Sequence, residues 1–117
     1  MAAPNDVSSH FAGRDPSVLA TYEAILGHAR SLGPVKVESK KTSIHLVRTT
    51  AFAGVATRKS WLILTLKSAA DLKSPRIKKH EQASANRWHL EIKLESTAGV
   101  DRELKHWLAA AYKLAGT

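Results

Sequence analysis

The residues best suited to chemistry are basic, and they cluster. Lys40, Lys41, Thr42 and Ser43 are followed by His45 and Arg48. At a spacing of two, Lys41, Ser43, His45 and Thr49 fall on one face of an extended segment. Ammonium, hydroxyl and imidazole groups in one row are donors suited to phosphate or carboxylate oxygens. Arg58 and Lys59 form a second basic set just before an apolar run, where a turn backbone adds N–H groups to an anion seat. Lys73, Arg76, Lys78, Lys79 and His80, with Arg87 beyond, read as a basic loop able to close over a bound anion. The expected ligand-binding residues are therefore Lys41, His45, Arg58, Lys59 and Arg76. Each set also has a plainer reading, since lysines guard sheet edges against pairing and polar pairs fill hairpin turns.

Catalytic and metal chemistry find little support. The 117 residues include no Cys, which removes thiolate catalysis, disulfides and Cys-based zinc sites together. The six histidines, His10, His28, His45, His80, His89 and His106, include no pair at helical zinc spacing. A cross-strand pairing of His45 with His89 is the one arrangement that would bring two imidazoles together. Glu91-Ile92-Lys93, with Asp71 upstream, superficially matches the Glu-x-Lys pattern of metal-dependent nucleases. An alternating strand in a basic protein produces that triplet by chance, and Asp71 lacks the preceding proline and strand context. Walker and GxGxxG sequences are absent. No catalytic residue, metal ligand or cofactor is expected.

The charge is unevenly placed. The net charge is +8, but between Lys36 and Lys93 there are 13 Lys and Arg against 4 Asp and Glu, whereas the rest of the chain has 5 against 6. The middle therefore carries the whole excess, and nucleic acid or a small anionic ligand is the partner class to test first. The plainer reading is a solubilising surface. No run approaches 18 apolar residues and the N-terminus has no secretory pattern, so a cytoplasmic protein with no membrane partner is expected.

The elements that must position these groups follow from periodicity. Residues 1–13 read as a flexible lead-in, with Phe11 tacked onto the body, and 14–117 as a single domain, since 117 residues suit one core. Asp15 and Pro16 form a helix start, Val18, Leu19, Tyr22, Ile25, Leu26, Ala29 and Leu32 recur at helical spacing, and Gly33-Pro34 ends the helix. Alternating stretches follow around Val35–Val37, Ser43–Thr50 and Phe52–Ala56, where Gly54 implies a bulge or a close backbone approach. Trp61–Leu66 is apolar on both faces, as a doubly covered central strand would be. Residues 69–82 read as a loop, and Trp88–Glu95 alternates clearly. A last helix from about Thr97 to Ala115 buries Leu104, Trp107, Leu108 and Ala111, with Asp101 and Glu103 suited to its dipole. Short connections require antiparallel pairing. The expected fold class is α+β: a mostly antiparallel four- to five-stranded sheet with the N-terminal and C-terminal helices packed on one face. The other face is left for solvent or ligand, and Trp61 is the tryptophan best placed to be exposed there.

Several local sequences carry a resemblance. Lys40-Lys41-Thr42-Ser43-Ile44, Phe52-Ala53-Gly54-Val55 followed by Arg58-Lys59, Ser74-Pro75-Arg76 and the closing Ala111-Tyr112 resemble the bacterial family of domains of unknown function numbered 5655. The similarity runs from about Phe11 to Ala115, with Thr57 standing where similar sequences would have proline. The resemblance implies a small bacterial domain that stands alone or closes a longer protein, and it brings no established activity. The element order also looks like frataxin-type or double-wing DNA-binding folds, an analogy that does not fix function.

The reading that emerges is a non-catalytic module binding an anionic partner, nucleic acid or an acidic ligand, on its exposed sheet face. The alternative is an enzyme for a small anionic or phosphoester substrate, which needs His45, Lys41, Arg58 or Glu91 to converge in a concave pocket. A third reading is a protein-interaction domain forming a homodimer through an open sheet edge.

Overall fold

The computed structural model describes residues 7–116. Helix α1 spans Pro16–Leu32 and helix α2 spans Arg102–Ala115. Between them lie six strands: β1 (Lys36–Ser39), β2 (Ile44–Val47), β3 (Ala51–Thr57), β4 (Leu62–Ser68), β5 (Ile77–Ser84) and β6 (Arg87–Leu94). They form one antiparallel sheet in the order β1-β2-β3-β4-β6-β5. The α+β class and antiparallel pairing match the sequence reading, but the strand count is six rather than four or five. The added strand is β5, which falls in the stretch read as a loop. It lies at the sheet edge and buries only Ile77 among its eight residues, so its sequence carries no alternation to read.

Register assigns each side chain to a face. Ile44 and Leu46 of β2, Val55 of β3, Leu62, Leu64 and Leu66 of β4, and Leu90, Ile92 and Leu94 of β6 are all buried. Helix α2 packs over β3 and β4, and α1 lies against α2 and β4, so this is the helix-covered face. The residues between them, such as His45, Gly54, Thr65 and Glu91, form a continuous cross-strand row on the opposite face. Strand β4 is therefore covered by helices on one side only. Its outward Ile63 is half-buried among strand neighbours, which is why the run looks apolar throughout.

The bulge lies beside Gly54 rather than at it. Val47 pairs with Ala51 and Leu46 with Ala53, leaving Phe52 as the extra residue. The bulge turns Phe52 to the helix side, where it is buried and meets the Tyr112 ring edge-on at 5.3 Å.

The helix ends tie the layers together. Asp15 stands at the N-cap of α1 but makes no side-chain cap; its carbonyl accepts from Val18 N at 3.0 Å and its N–H donates to Lys59 O at 2.7 Å. That bond staples the helix start to the β3–β4 turn. Gly33 ends α1 at φ 153°, and a Cβ there would collide with the hydroxyl of Tyr112, which donates to Pro34 O at 3.0 Å. At the start of α2 the Asp101 carboxylate caps Leu104 N at 3.0 Å, preceded by a 3-10 turn at Thr97–Gly99. Arg48 lies over the Tyr112 ring at 4.4 Å and donates to Tyr112 O, closing the C-terminal turn of α2.

Of the stretch read as a lead-in, residues 1–6 lie outside the described residues. The following Ser8–His10 turn is docked: His10 is 9% exposed, its ring meets Ser39 Oγ at 3.0 Å, and its carbonyl accepts from Thr57 Oγ1. Phe11 does tack on, its ring 5.2 Å from that of Tyr22. Among the described residues no helix is long and apolar enough to cross a membrane.

Candidate functional site

A trough runs along the open sheet face, and small residues create it. The outward positions of β3 are Gly54 and Ala56, while its neighbours carry larger groups: Ser43 and His45 on the β2 side, Thr65 and Lys67 on β4, and His89 on β6. A low central strand between taller neighbours leaves a depression of about 280 Å³. Gly54 is its floor. The nearest side-chain atoms to a Cβ built there are His45 Cδ2 at 3.7 Å and Thr65 Cβ at 4.0 Å, both ordinary contacts, and Gly54 does not have a positive φ. The backbone does not demand glycine at this position. What glycine supplies is space and bare peptide beside an imidazole.

The turns at one end of the trough carry the cations. Ile44 pairs with Val55, Thr57 with Leu62 and Leu62 with Leu94, so the β1–β2 and β3–β4 turns and the end of β6 share one edge of the sheet. Lys41 stands on the first turn; Arg58 and Lys59 stand on the second, two strand spacings (~10 Å) away. Glu38 takes its ion pairs from Lys40 at 3.3 Å and Lys36 at 3.6 Å, and the Lys40 bond holds its carboxyl below the ordinary value. Lys41 and Lys59 have no carboxylate partner among the described residues. Arg58 donates to Thr57 O at 3.0 Å. Arg14 joins the cluster through Thr57 Oγ1 at 3.4 Å, a placement no sequence spacing announces because it depends on the stapled helix start. Trp61 borders the same end, half-buried, with Lys93 Nζ 4.4 Å from its ring centre.

Four of the five expected residues are thus on or beside one face: His45 in the trough, and Lys41, Arg58 and Lys59 on its rim. Arg76 is elsewhere. Its guanidinium bonds Asp101, Glu103 and the carbonyl of Gly99, and lies over the Trp107 ring at 5.7 Å. It ties β5 to the start of α2. Arg48 is likewise engaged with α2. Elsewhere on the open face Lys79 pairs with Glu91 at 3.9 Å, and the His89 ring lies 3.7 Å from the Glu81 carboxylate. The excess positive charge therefore concentrates at the turn end and at Lys67, which donates to Thr50 Oγ1.

The other candidate chemistries separate in space. His45 on β2 and His89 on β6 both line the trough but lie three strand spacings apart, ~14 Å. Glu91 faces outward, paired with Thr65 across β4, whereas Asp71 sits by the helix side, held by Lys73 and by His80, whose strand partner is the buried Leu90. Bonds from Lys73, then His80, hold the Asp71 carboxyl below its ordinary value. Among the described residues no group of three or more His, Asp or Glu could hold a metal ion.

Lys67 and Thr65 carry no signal that singles them out in the sequence, and His89 stands out there only as a cross-strand partner for His45. The signal is Gly54-x-Ala56 at a spacing of two, of which the sequence reading takes only Gly54, as a bulge or a close backbone approach. No curated protein and no solved structure matches the chain. A family model described as Domain of unknown function (DUF5655) matches residues 7–115, and the chain belongs to that family.

Proposed function

We propose that this domain is a non-catalytic module that binds an anionic partner across its open sheet face, with single-stranded nucleic acid the leading candidate. The observation that carries the reading is the trough over Gly54, bordered at one end by Lys41, Arg58 and Lys59, which among the described residues have no carboxylate partner. A phosphate backbone would follow the Lys41, Arg58 and Lys59 rim, and the bare peptide of Gly54 would let a base or sugar approach between His45 and Thr65. The cations are spread over two turns ~10 Å apart, which suits a chain of phosphates better than one compact anion. Trp61 adds an aromatic edge at the same end.

A small acidic ligand seated in the trough is the narrower form of this reading, and the two differ in salt dependence. A fluorescence-anisotropy titration with a labelled single-stranded oligonucleotide at low and moderate salt tests the first form. Saturable binding that weakens steeply with salt is expected; no binding at low salt removes nucleic acid as the partner. The enzymatic reading draws no support from the geometry, since Lys41, His45, Arg58 and Glu91 are spread along the face and the turns without converging.

A further inference from the structure

A second concavity lies on the opposite side of the molecule, between α2 and the β4–β5 loop, with a volume of about 570 Å³. Its lining is mainly apolar. Leu66, Leu90 and Ile92 form the floor, Leu72 of the loop one wall, and Trp107 and Ala110 of α2 the other. Both walls are fixed. The loop carries Asp71, whose carboxylate is turned to Lys73 and His80, and Trp107 lies under the Arg76 guanidinium that Asp101 and Glu103 hold. The groove therefore has a formed shape, and its size lies within the range of small-molecule sites, ~300–1,000 Å³.

Two features limit what can fill it. The floor residues are only 1–2% exposed, so the surface left open to a ligand is mainly that of the walls. Leu19, on α1, is the one exposed large hydrophobic among the described residues, so a helix or second copy of the chain would find no broad apolar patch to cover here. A slender aliphatic chain fits that shape. The charge at the mouth is of one sign: Lys67 and Lys113 line the groove beside His106, and among the described residues no carboxylate does. Lys113 lies seven residues beyond His106 on the same helix, ~10 Å along the groove.

We propose that this groove binds a free single-chain aliphatic carboxylate, the chain lying between Leu72 and the Trp107–Ala110 wall and the carboxylate at Lys113. The site is on the helix side of the sheet and shares only Lys67 with the lining of the anion-binding trough, so its test at Trp107, Ala110 and Lys113 is separate from that of the open face.

The test uses the full chain and decanoate below its micellar concentration, followed by amide and indole shifts in NMR, with light scattering in parallel. Saturable one-to-one shifts at Leu66, Leu72 and the Trp107 indole are expected with the chain monomeric. Ala110→Trp, at an exposed helix position, should abolish them. Lys113→Glu should weaken binding by about tenfold, the loss of one charge-assisted contact. Decyltrimethylammonium, the same chain with a cationic head, should bind more weakly than decanoate. Equal binding by the cationic chain or undiminished binding by Lys113→Glu would overturn the proposal, as would groove shifts that appear only as the mass doubles, which would mean a second copy fills it. If Ala110→Trp does not fold, Lys113→Glu and the head-group comparison decide the matter alone.

Discussion

His45 stands directly across from Gly54 in the β2–β3 register, and the missing side chain at Gly54 leaves the imidazole edge open to the trough. A Cβ added at Gly54 would rest 3.7 Å from His45 Cδ2 without strain. Glycine inside a strand normally weakens it by roughly 0.5–1 kcal/mol relative to alanine. Its presence deepens an exposed concavity, which is what the proposed binding would use.

Gly54→Val separates the two effects. The variant should fold with equal or slightly higher stability, by roughly 0.5–1 kcal/mol, since a β-branched residue suits the position. Its two methyl groups should fill the trough floor and reduce anion binding by at least about tenfold. Thermal melts and an anisotropy titration on the same sample check both halves.

Charge reversal on the rim should act differently. Lys41→Glu and Lys59→Glu remove groups without carboxylate partners among the described residues, so stability should change little. Each should lower the slope of log affinity against log salt for single-stranded nucleic acid by about 0.7. Arg76→Ala should leave that slope unchanged and lower the melting temperature instead, because its partners are Asp101, Glu103 and Trp107. Titrations at several salt concentrations with all three variants distinguish the roles.

How much of this was legible beforehand varies by element. The helices were readable because their apolar residues recur at one period and Pro16 and Gly33 mark the ends of α1, but the reading starts α2 at about Thr97, where the structure has a 3-10 turn and begins the helix at Arg102 after the Asp101 cap. Strand β6 was readable because Trp88, Leu90, Ile92 and Leu94 alternate with polar neighbours. Strand β5 was not, since an edge strand needs only one buried residue, Ile77, and the rest of its sequence is free to look like a polar loop. Lys41, Arg58 and Lys59 could be placed at turns from local signals. That the two turns share an edge, and that Arg76 is engaged by the helix start, depends on sheet order and packing, which no local pattern encodes.

Asp101 gives a pH-dependent handle on the fold. The Leu104 N–H, then Arg76, hold its carboxyl below the ordinary value. Its contribution is therefore fully present above the ordinary carboxylate range and lost as pH falls through the lowered value. Asp101→Ala should reduce the melting temperature by roughly 4 °C at neutral pH, with the gap to wild type closing in strong acid. Melts across pH 2 to 7 follow the gap.

Gly33→Ala tests the joint between the helices. The positive φ and the collision with the Tyr112 hydroxyl together should cost about 1–3 kcal/mol, read by chemical denaturation. Gly27→Ala, within α1 and in open space, should instead be neutral or stabilising.

The most direct measurement is an amide-shift map of the chain titrated with a short single-stranded oligonucleotide at low salt. The predicted result is a continuous patch over His45, Gly54, Thr65 and Lys67 that extends onto the turns at residues 40–43 and 58–61. The contradicting result is saturable binding whose shifts fall on α1 and α2 and leave Gly54 unmoved, or no shifts at all.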